Sequence, residues 1–247
     1  MNGKKVEKLA FFLPNTFTAL NIGCGFLAIM FSIKGEFYKA SMLIILGAIF
    51  DSVDGRVARI TGTQSPFGEQ FDSLSDLISF GMAPSLIYYN KFLIDYGRLG
   101  MMVSFIFLLC GALRLARFNA NIDKVQSNYF QGLPIPGSAA ALIGYILVSM
   151  LYPNIFDNKY ITIPYILFYS VLMITNIPFP SFKDSDLVRK HKFKILFLMI
   201  TLASSLFIYE ELMIFIVVSV YILGSLLYIL THKDKFKNIF EWEDDHV

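Results

Sequence analysis

Long apolar runs separated by short polar links dominate the chain. Runs of about 17–25 mostly apolar residues are long enough to cross a bilayer as helices. Eight segments have that length and character: 15–33, 38–58, 70–90, 99–119, 136–152, 161–177, 193–209 and 211–231. The pattern predicts an all-α, polytopic membrane bundle of about eight transmembrane helices. Residues 2–12 carry Lys4, Lys5 and Lys8 on one side and Leu9, Phe11 and Phe12 on the other. They predict a short interfacial helix ending at Pro14. Lysines before an apolar run also mimic a signal peptide. No small-residue cleavage site leads into a soluble domain, so a retained first span is expected. The third run is the poorest by hydropathy, because Glu69 flanks it and Asp72 and Asp76 lie within it.

Composition agrees with this pattern. The chain has 247 residues, 55% of them hydrophobic and 16% charged, with mean hydropathy +0.58. A soluble domain carries about 25% charged residues. The net charge of +2 says little, and no nucleic acid is expected as a partner. The placement of the charges says more. With a cytoplasmic N-terminus, 16 of the 21 Lys and Arg residues fall on the cytoplasmic side. Lys34, Lys39, Lys91, Arg98 and Lys159 fall outside. The positive-inside rule therefore puts both termini and the acidic motif below at the cytoplasmic face of the cell membrane.

The loop 178–192 (PFPSFKDSDLVRKHK) marks a seam. Residues 1–180 hold every unusual polar motif. Residues 181–247 add two plain apolar helices, with Glu210 and Glu211 between them, and a cytoplasmic tail. These helices suit packing or dimer contacts, and a homodimer is expected. Cys24 and Cys110 lie in apolar runs without metal or disulfide spacing and are expected to be packing residues. Trp242, with Phe236 and Phe240, suits an interfacial anchor. His191 and His232, among lysines, suit solvent. Gly23–Cys24–Gly25 and the small residues 138–141 suit helix packing.

The chemistry concentrates in DSVDGRVARITGTQSPFGEQFDSLSD, residues 51–76. Asp51 and Asp54 are spaced i, i+3, and Asp72 and Asp76 i, i+4, so each pair shares a helix face. Ionised groups at membrane depth are costly and need a neutralising partner. Four carboxylates on two facing stripes suit one or two hard cations, Mg2+ or Mn2+. Such ions bind phosphate oxygens and offset charge in phosphoryl transfer. Gly55 and Gly68 let a ligand or neighbouring helix approach the backbone. The fork of Arg59 matches phosphate oxygens. Thr61, Thr63, Gln64 and Ser65 can hydrogen-bond a nucleotide. Intramembrane Asp residues can also serve a cation transporter, and that alternative stays open on spacing alone.

The full pattern is Asp-x2-Asp-Gly-x2-Ala-Arg-x8-Gly-x3-Asp-x3-Asp, and it resembles the signature of the CDP-alcohol phosphatidyltransferases. Asp51, Asp54, Gly55, Ala58, Arg59, Gly68, Asp72 and Asp76 match at every position. The resemblance covers about the first six spans. It implies that Asp51, Asp54 and Asp72 bind metal and that Asp76 is a metal ligand and the general base. It also implies that Gly55, Ala58 and Arg59 border the CDP moiety, and that Asn15 and Thr18 (LPNTFT) touch the nucleotide. FDSLSDLISFGMAPS, GALRLARFN (111–119) and QGLPIPGSAAA (131–141) look like the serine-using branch of that family.

The resemblance implies transfer of the phosphatidyl group of CDP-diacylglycerol to the hydroxyl of L-serine, with release of CMP. No covalent nucleophile with an adjacent base is evident, so direct displacement is favoured over a phosphoenzyme. A serine acceptor brings a carboxylate, for which Arg is the best partner. Arg114 and Arg117, one turn apart, are the candidates, with Asn119 adding a polar contact. Both arginines also fit as positive-inside anchors, or as partners of another acceptor such as glycerol 3-phosphate; inositol phosphate and choline are further acceptors to test. The Pro134–Pro136 segment either shapes the substrate mouth or starts the fifth helix.

Overall fold

The structure, a computed structural model, describes residues 3–121, 129–180 and 209–231. Almost all of them are helical. The first helix, α1 (Gly3–Ile33), runs straight through Pro14. The expected break between an interfacial helix and the first span is therefore absent. Proline removes one backbone donor, yet hydroxyls can re-satisfy carbonyls in such helices. Here Thr16 Oγ1 donates to the Phe12 carbonyl at 2.9 Å. Buried Thr18, Asn21, Gly25, Ala28 and Ser32 recur every three or four residues and form one stripe. Phe26, Leu27, Met30 and Ile33 are exposed on the other side, as suits a lipid-facing surface.

The second helix, α2 (Phe37–Thr61), packs along α1. It ends at Gly62, whose left-handed backbone (φ 64°) lets its N–H reach the Ala58 carbonyl. Three residues later Ser65 caps α3 (Pro66–Asp76), its hydroxyl accepting from the Gly68 N–H at 3.1 Å. Pro66 sits in the first turn, where its missing N–H costs nothing. The chain stays helical through a π-helical turn (Leu77–Met82), α4 (Ala83–Tyr88) and a second π-helical turn (Tyr89–Leu93). It then reverses over Ile94–Tyr96 into α5 (Gly97–Ala120). Ser104 Oγ donates to the Ser85 carbonyl at 2.8 Å and fastens α5 against α4.

A strand, β1 (Tyr129–Gln131), leads into α6 (Ile135–Leu151), the most enclosed element. Pro134 caps α6 and Pro136 lies in its first turn, so this segment does start the fifth helix. A short turn, α7 (Pro153–Phe156), and α8 (Lys159–Ile174) follow. Strand β2 (Pro178–Pro180) pairs antiparallel with β1, Phe130 opposite Phe179. This pair departs from the all-helical expectation; two three-residue segments, YFQ and PFP, are too short to carry strand periodicity. The last helix among the described residues, α9 (Glu210–Thr231), lies on α6. A Cβ at Gly144 would approach the Phe215 backbone to 3.0 Å, which sets how closely the two helices meet. Tyr88 and Tyr145 are buried and Tyr165 half-buried between α4, α6 and α8, each hydroxyl donating to a carbonyl: of Thr162, Phe156 and Ala141 respectively.

Among the described residues, Phe12–Ile33, Pro66–Ala120 and Glu211–Thr231 are long and apolar enough to cross a membrane. Ile135–Leu151 and Lys159–Ile174 are shorter apolar helices. The expected span 38–58 is helical but carries Lys39, Asp51 and Asp54. The expected span 193–209, Lys124, the basic residues 183–194 and 233–237, both tail histidines and Trp242 lie outside the described residues, apart from Tyr209 at the end of that span. The architecture is that of an all-α membrane protein.

Candidate active site

Asp51 and Asp54 lie near the end of α2, and Asp72 and Asp76 on α3. The tight link 62–65 brings these two helix ends together. Asp51, Asp72 and Asp76 each offer one carboxylate oxygen within 4.8 Å of the others. Asp54 stands apart from this group. It is 4% exposed, and its Oδ2 accepts a 2.8 Å hydrogen bond from Thr18 Oγ1 of α1. The carboxylates therefore divide into a cluster of three and a fourth tied to α1.

Three like charges this close are unfavourable unless a cation lies among them. Among the described residues, no Lys or Arg forms a salt bridge with any of the three. Asp72 Oδ1 and Asp76 Oδ1 are buried without a hydrogen-bond partner. Buried carboxylate oxygens left over in this way fit a divalent metal ion held by oxygen ligands.

Beside the cluster is a cavity of about 170 Å³, open to one side, whose walls come from α1, α2, the link and α3. Asn15, Thr18, Gly55, Ala58, Arg59, Thr63 and Gly68, singled out from the sequence, all line it, together with Asp54 and Asp72. The small residues make room. A Cβ at Gly68 would lie 3.3 Å from Ser65 Oγ and 3.8 Å from Asn15 Oδ1, closing the floor. At Gly55 a Cβ would meet Arg59 Nη1 at 3.7 Å. The N-terminus of α3 also opens here, and a helix N-terminus favours anions. Pro14, Gln64, Ser65 and Glu69 complete the wall. The cavity thus joins a diphosphate-compatible surface to a carboxylate cluster.

Behind α3, small hydroxyls fix its placement against α1. Ser75 Oγ donates to the Thr18 carbonyl at 3.2 Å and Ser79 Oγ to the Asn21 carbonyl at 2.9 Å. A Cβ at Gly25 would lie 2.9 Å from the Ser79 Cα, so α1 and the π-helical turn after Asp76 touch backbone to backbone. Neither serine carries a distinguishing mark in the sequence, since serine in an apolar run also suits simple packing.

Arg114, Arg117 and Asn119, expected to act together, are separated by the structure. Arg114 is 7% exposed, its guanidinium lies 5.5 Å from the Phe118 ring, and its Nε has no hydrogen-bond partner. It interacts electrostatically with Asp76. A small cavity borders it, lined by Arg117, Phe118, Asn121, Phe130 and Gln131 as well. Arg117 instead bonds to the end of α8. Asn119 pairs with Ser73 on α3, Nδ2 donating to Ser73 Oγ at 3.0 Å.

Comparison with known proteins bears on this geometry. A family model described as CDP-alcohol phosphatidyltransferase matches residues 11–180. A protein of Helicobacter pylori named CDP-diacylglycerol–serine O-phosphatidyltransferase is 41% identical, over 70% of this chain and 73% of its own length. One of Methanocaldococcus jannaschii with the same name is 42% identical, over 68% of this chain and 73% of its own length. An archaetidylserine synthase of Methanothermobacter thermautotrophicus is 38% identical, over 73% and 74% respectively.

Proposed function

The chain belongs to the CDP-alcohol phosphatidyltransferase family, and we infer from this that it transfers the phosphatidyl group of CDP-diacylglycerol to the hydroxyl of L-serine, releasing CMP. The observation that carries this reading is the cavity joining Asp54, Gly55, Ala58, Arg59 and Gly68 to the Asp51–Asp72–Asp76 cluster, together with the serine-specific names of the relatives. It is a phospholipid-synthesising membrane enzyme.

In this reading Asp51, Asp72 and Asp76 hold one or two Mg2+ or Mn2+ ions, with Asp54 contributing from its Thr18-bonded position. The bound ion supplies a positive charge for the diphosphate oxygens. Arg59 and the N-terminus of α3 bind the same diphosphate, and Asn15, Thr18, Gly55, Ala58 and Thr63 border the nucleotide. Asp76 accepts the proton of the serine hydroxyl. The serine oxygen attacks the β-phosphorus, one P–O bond forms, and the bond to CMP breaks. Direct displacement needs no covalent enzyme intermediate. The lipid tails enter sideways from the bilayer.

Arg114 is the acceptor residue we favour. Its guanidinium is buried, interacts with Asp76 and borders a small cavity, so a serine carboxylate bound there holds the hydroxyl near the base. Arg114→Lys keeps the charge but loses the planar fork. The serine KM is expected to rise about 10- to 100-fold, as for loss of one charged hydrogen bond, with the CDP-diacylglycerol KM nearly unchanged. Steady-state kinetics in both substrates checks this. Asn119 acts at second hand, through Ser73.

For the whole chain we propose eight passes with both termini cytoplasmic, an active site at the cytoplasmic face of the cell membrane, and a homodimer. Residues 1–180 form the catalytic core and 181–247 add two helices and a tail. A tag inserted within 153–160 is expected to report an external location, and tags at either terminus a cytoplasmic one. A cytoplasmic signal from 153–160 overturns this topology. The activity itself is tested by an acceptor panel on purified protein with CDP-diacylglycerol and Mg2+ or Mn2+. L-Serine is expected to outrun glycerol 3-phosphate, inositol phosphate and choline; preference for any of these leaves the transferase and removes the serine.

A further inference from the structure

Helix α8 ends at Ile174, and the last carbonyls of a helix have no partner within it. A basic side chain at that end both bonds these oxygens and complements the helix dipole. Arg117 fills this role from a different helix. Its Nη1 donates to the Ile174 carbonyl and to Asn176 Oδ1, each at 3.0 Å. Its Nη2 is shared among the carbonyls of Met173 at 3.2 Å, Thr175 at 3.3 Å and Gln131 at 3.3 Å. Each terminal nitrogen of a guanidinium carries two hydrogens, and both nitrogens are already committed to two or three oxygens. The fork that a carboxylate would need is occupied by the protein itself.

The same knot fixes the strand-to-helix turn before α6. Gln131 Nε2 donates to Asn176 Oδ1 at 3.1 Å. The Gly132 N–H reaches the Ile177 carbonyl at 2.9 Å, and the Leu133 N–H that of Leu172 at 3.0 Å. Gly132 has φ 73°, and a Cβ there would lie 2.5 Å from the Met173 carbonyl oxygen and 3.1 Å from Arg117 Nη2. Only glycine fits. Phe130 and Gln131, held by this knot, line the small cavity together with Arg117 itself and with Arg114, one helical turn before it.

We propose that Arg117 is a positioning residue for the acceptor: it ties α5 to the end of α8 and to β1, and so keeps the Arg114 cavity formed, its own guanidinium fork being held by protein oxygens rather than by the acceptor carboxylate. This rests on the reading that Arg114 holds the acceptor carboxylate. The consequence is that residues of the knot outside the cavity lining share the phenotype of Arg117. Asn176 is such a residue, since it is exposed, does not line the cavity, and accepts from both Arg117 and Gln131.

The test is a double-mutant cycle of Arg117→Lys and Asn176→Ala on the full-length protein, with KM and kcat measured for both substrates. Each single variant is expected to raise the serine KM about 3- to 10-fold, the size of one lost hydrogen bond. The kcat and the CDP-diacylglycerol KM are expected to stay within about twofold. The double variant is expected to match Arg117→Lys rather than multiply the two effects. A purely structural role leaves the serine KM unchanged in both variants, and that result overturns the proposal. So does a raised KM in Arg117→Lys alone, which assigns a direct contact. Asn176→Ala alters an exposed side chain, so it reports even if Arg117→Lys folds poorly. Arg114→Lys, run alongside, reports on the underlying reading separately: an unchanged serine KM there removes Arg114 from the acceptor site whatever the cycle shows.

Discussion

Asp72→Asn is expected to lower turnover by about 10³-fold or more, because loss of several kcal/mol of charge stabilisation corresponds to that factor. The substitution keeps the shape of the side chain and removes its charge. Asp72 is the residue shared by both parts of the site: it belongs to the cluster with Asp51 and Asp76 and also lines the nucleotide cavity. Its Oδ1 is one of the two buried cluster oxygens without a partner. Asp51→Asn is expected to act similarly. Mn2+ binding to the purified variants is expected to weaken in step with turnover. Weakened binding with normal turnover at saturating Mn2+ is the pattern of a ligand that matters only for affinity. Full wild-type activity in excess chelator removes the metal from the account altogether.

Asp76→Asn is the second large effect. A general base acts mainly in the transition state, so kcat is expected to fall about 10²- to 10⁴-fold. CDP-diacylglycerol binding is expected to change far less, because Asp76 does not line the nucleotide cavity. Of the three carboxylates, Asp76 is the one on which the charge of the buried Arg114 guanidinium acts. Equilibrium binding of CDP-diacylglycerol beside single-turnover chemistry distinguishes the two roles. If the variant loses nucleotide binding and retains chemistry at saturation, Asp76 is a metal ligand only and the base lies elsewhere.

The residues that line the larger cavity were reached through the family resemblance, which singles out Asn15, Thr18, Gly55, Ala58, Arg59 and Gly68. Helical spacing added only that Asp51 with Asp54, and Asp72 with Asp76, share a face. Ser65, expected to hydrogen-bond a nucleotide, spends its hydroxyl on the cap of α3, and the αL stop of α2 at Gly62 was not read from the sequence. The division of the four carboxylates was not legible, because the Thr18–Asp54 bond joins residues 36 positions apart. The role of Arg117 was hidden for the same reason, as its oxygens lie up to 59 residues away. An arginine at the end of an apolar run looks alike whether it anchors a headgroup, binds a substrate or caps a neighbouring helix. Pro14 misled for a different reason: proline predicts a helix end in water, whereas here the helix continues past it with a nearby hydroxyl bonding one of its carbonyls.

Serine transfer at a carboxylate-held metal is tested directly by one measurement. Purified protein is given CDP-diacylglycerol labelled in its diacylglycerol portion, L-serine and Mn2+, and phosphatidylserine and CMP are quantified together over time. Equal amounts of the two products are expected, with formation that depends on serine and none in excess chelator. CMP released without a matching lipid product, or phosphatidylserine formed at an undiminished rate in chelator, contradicts this expectation.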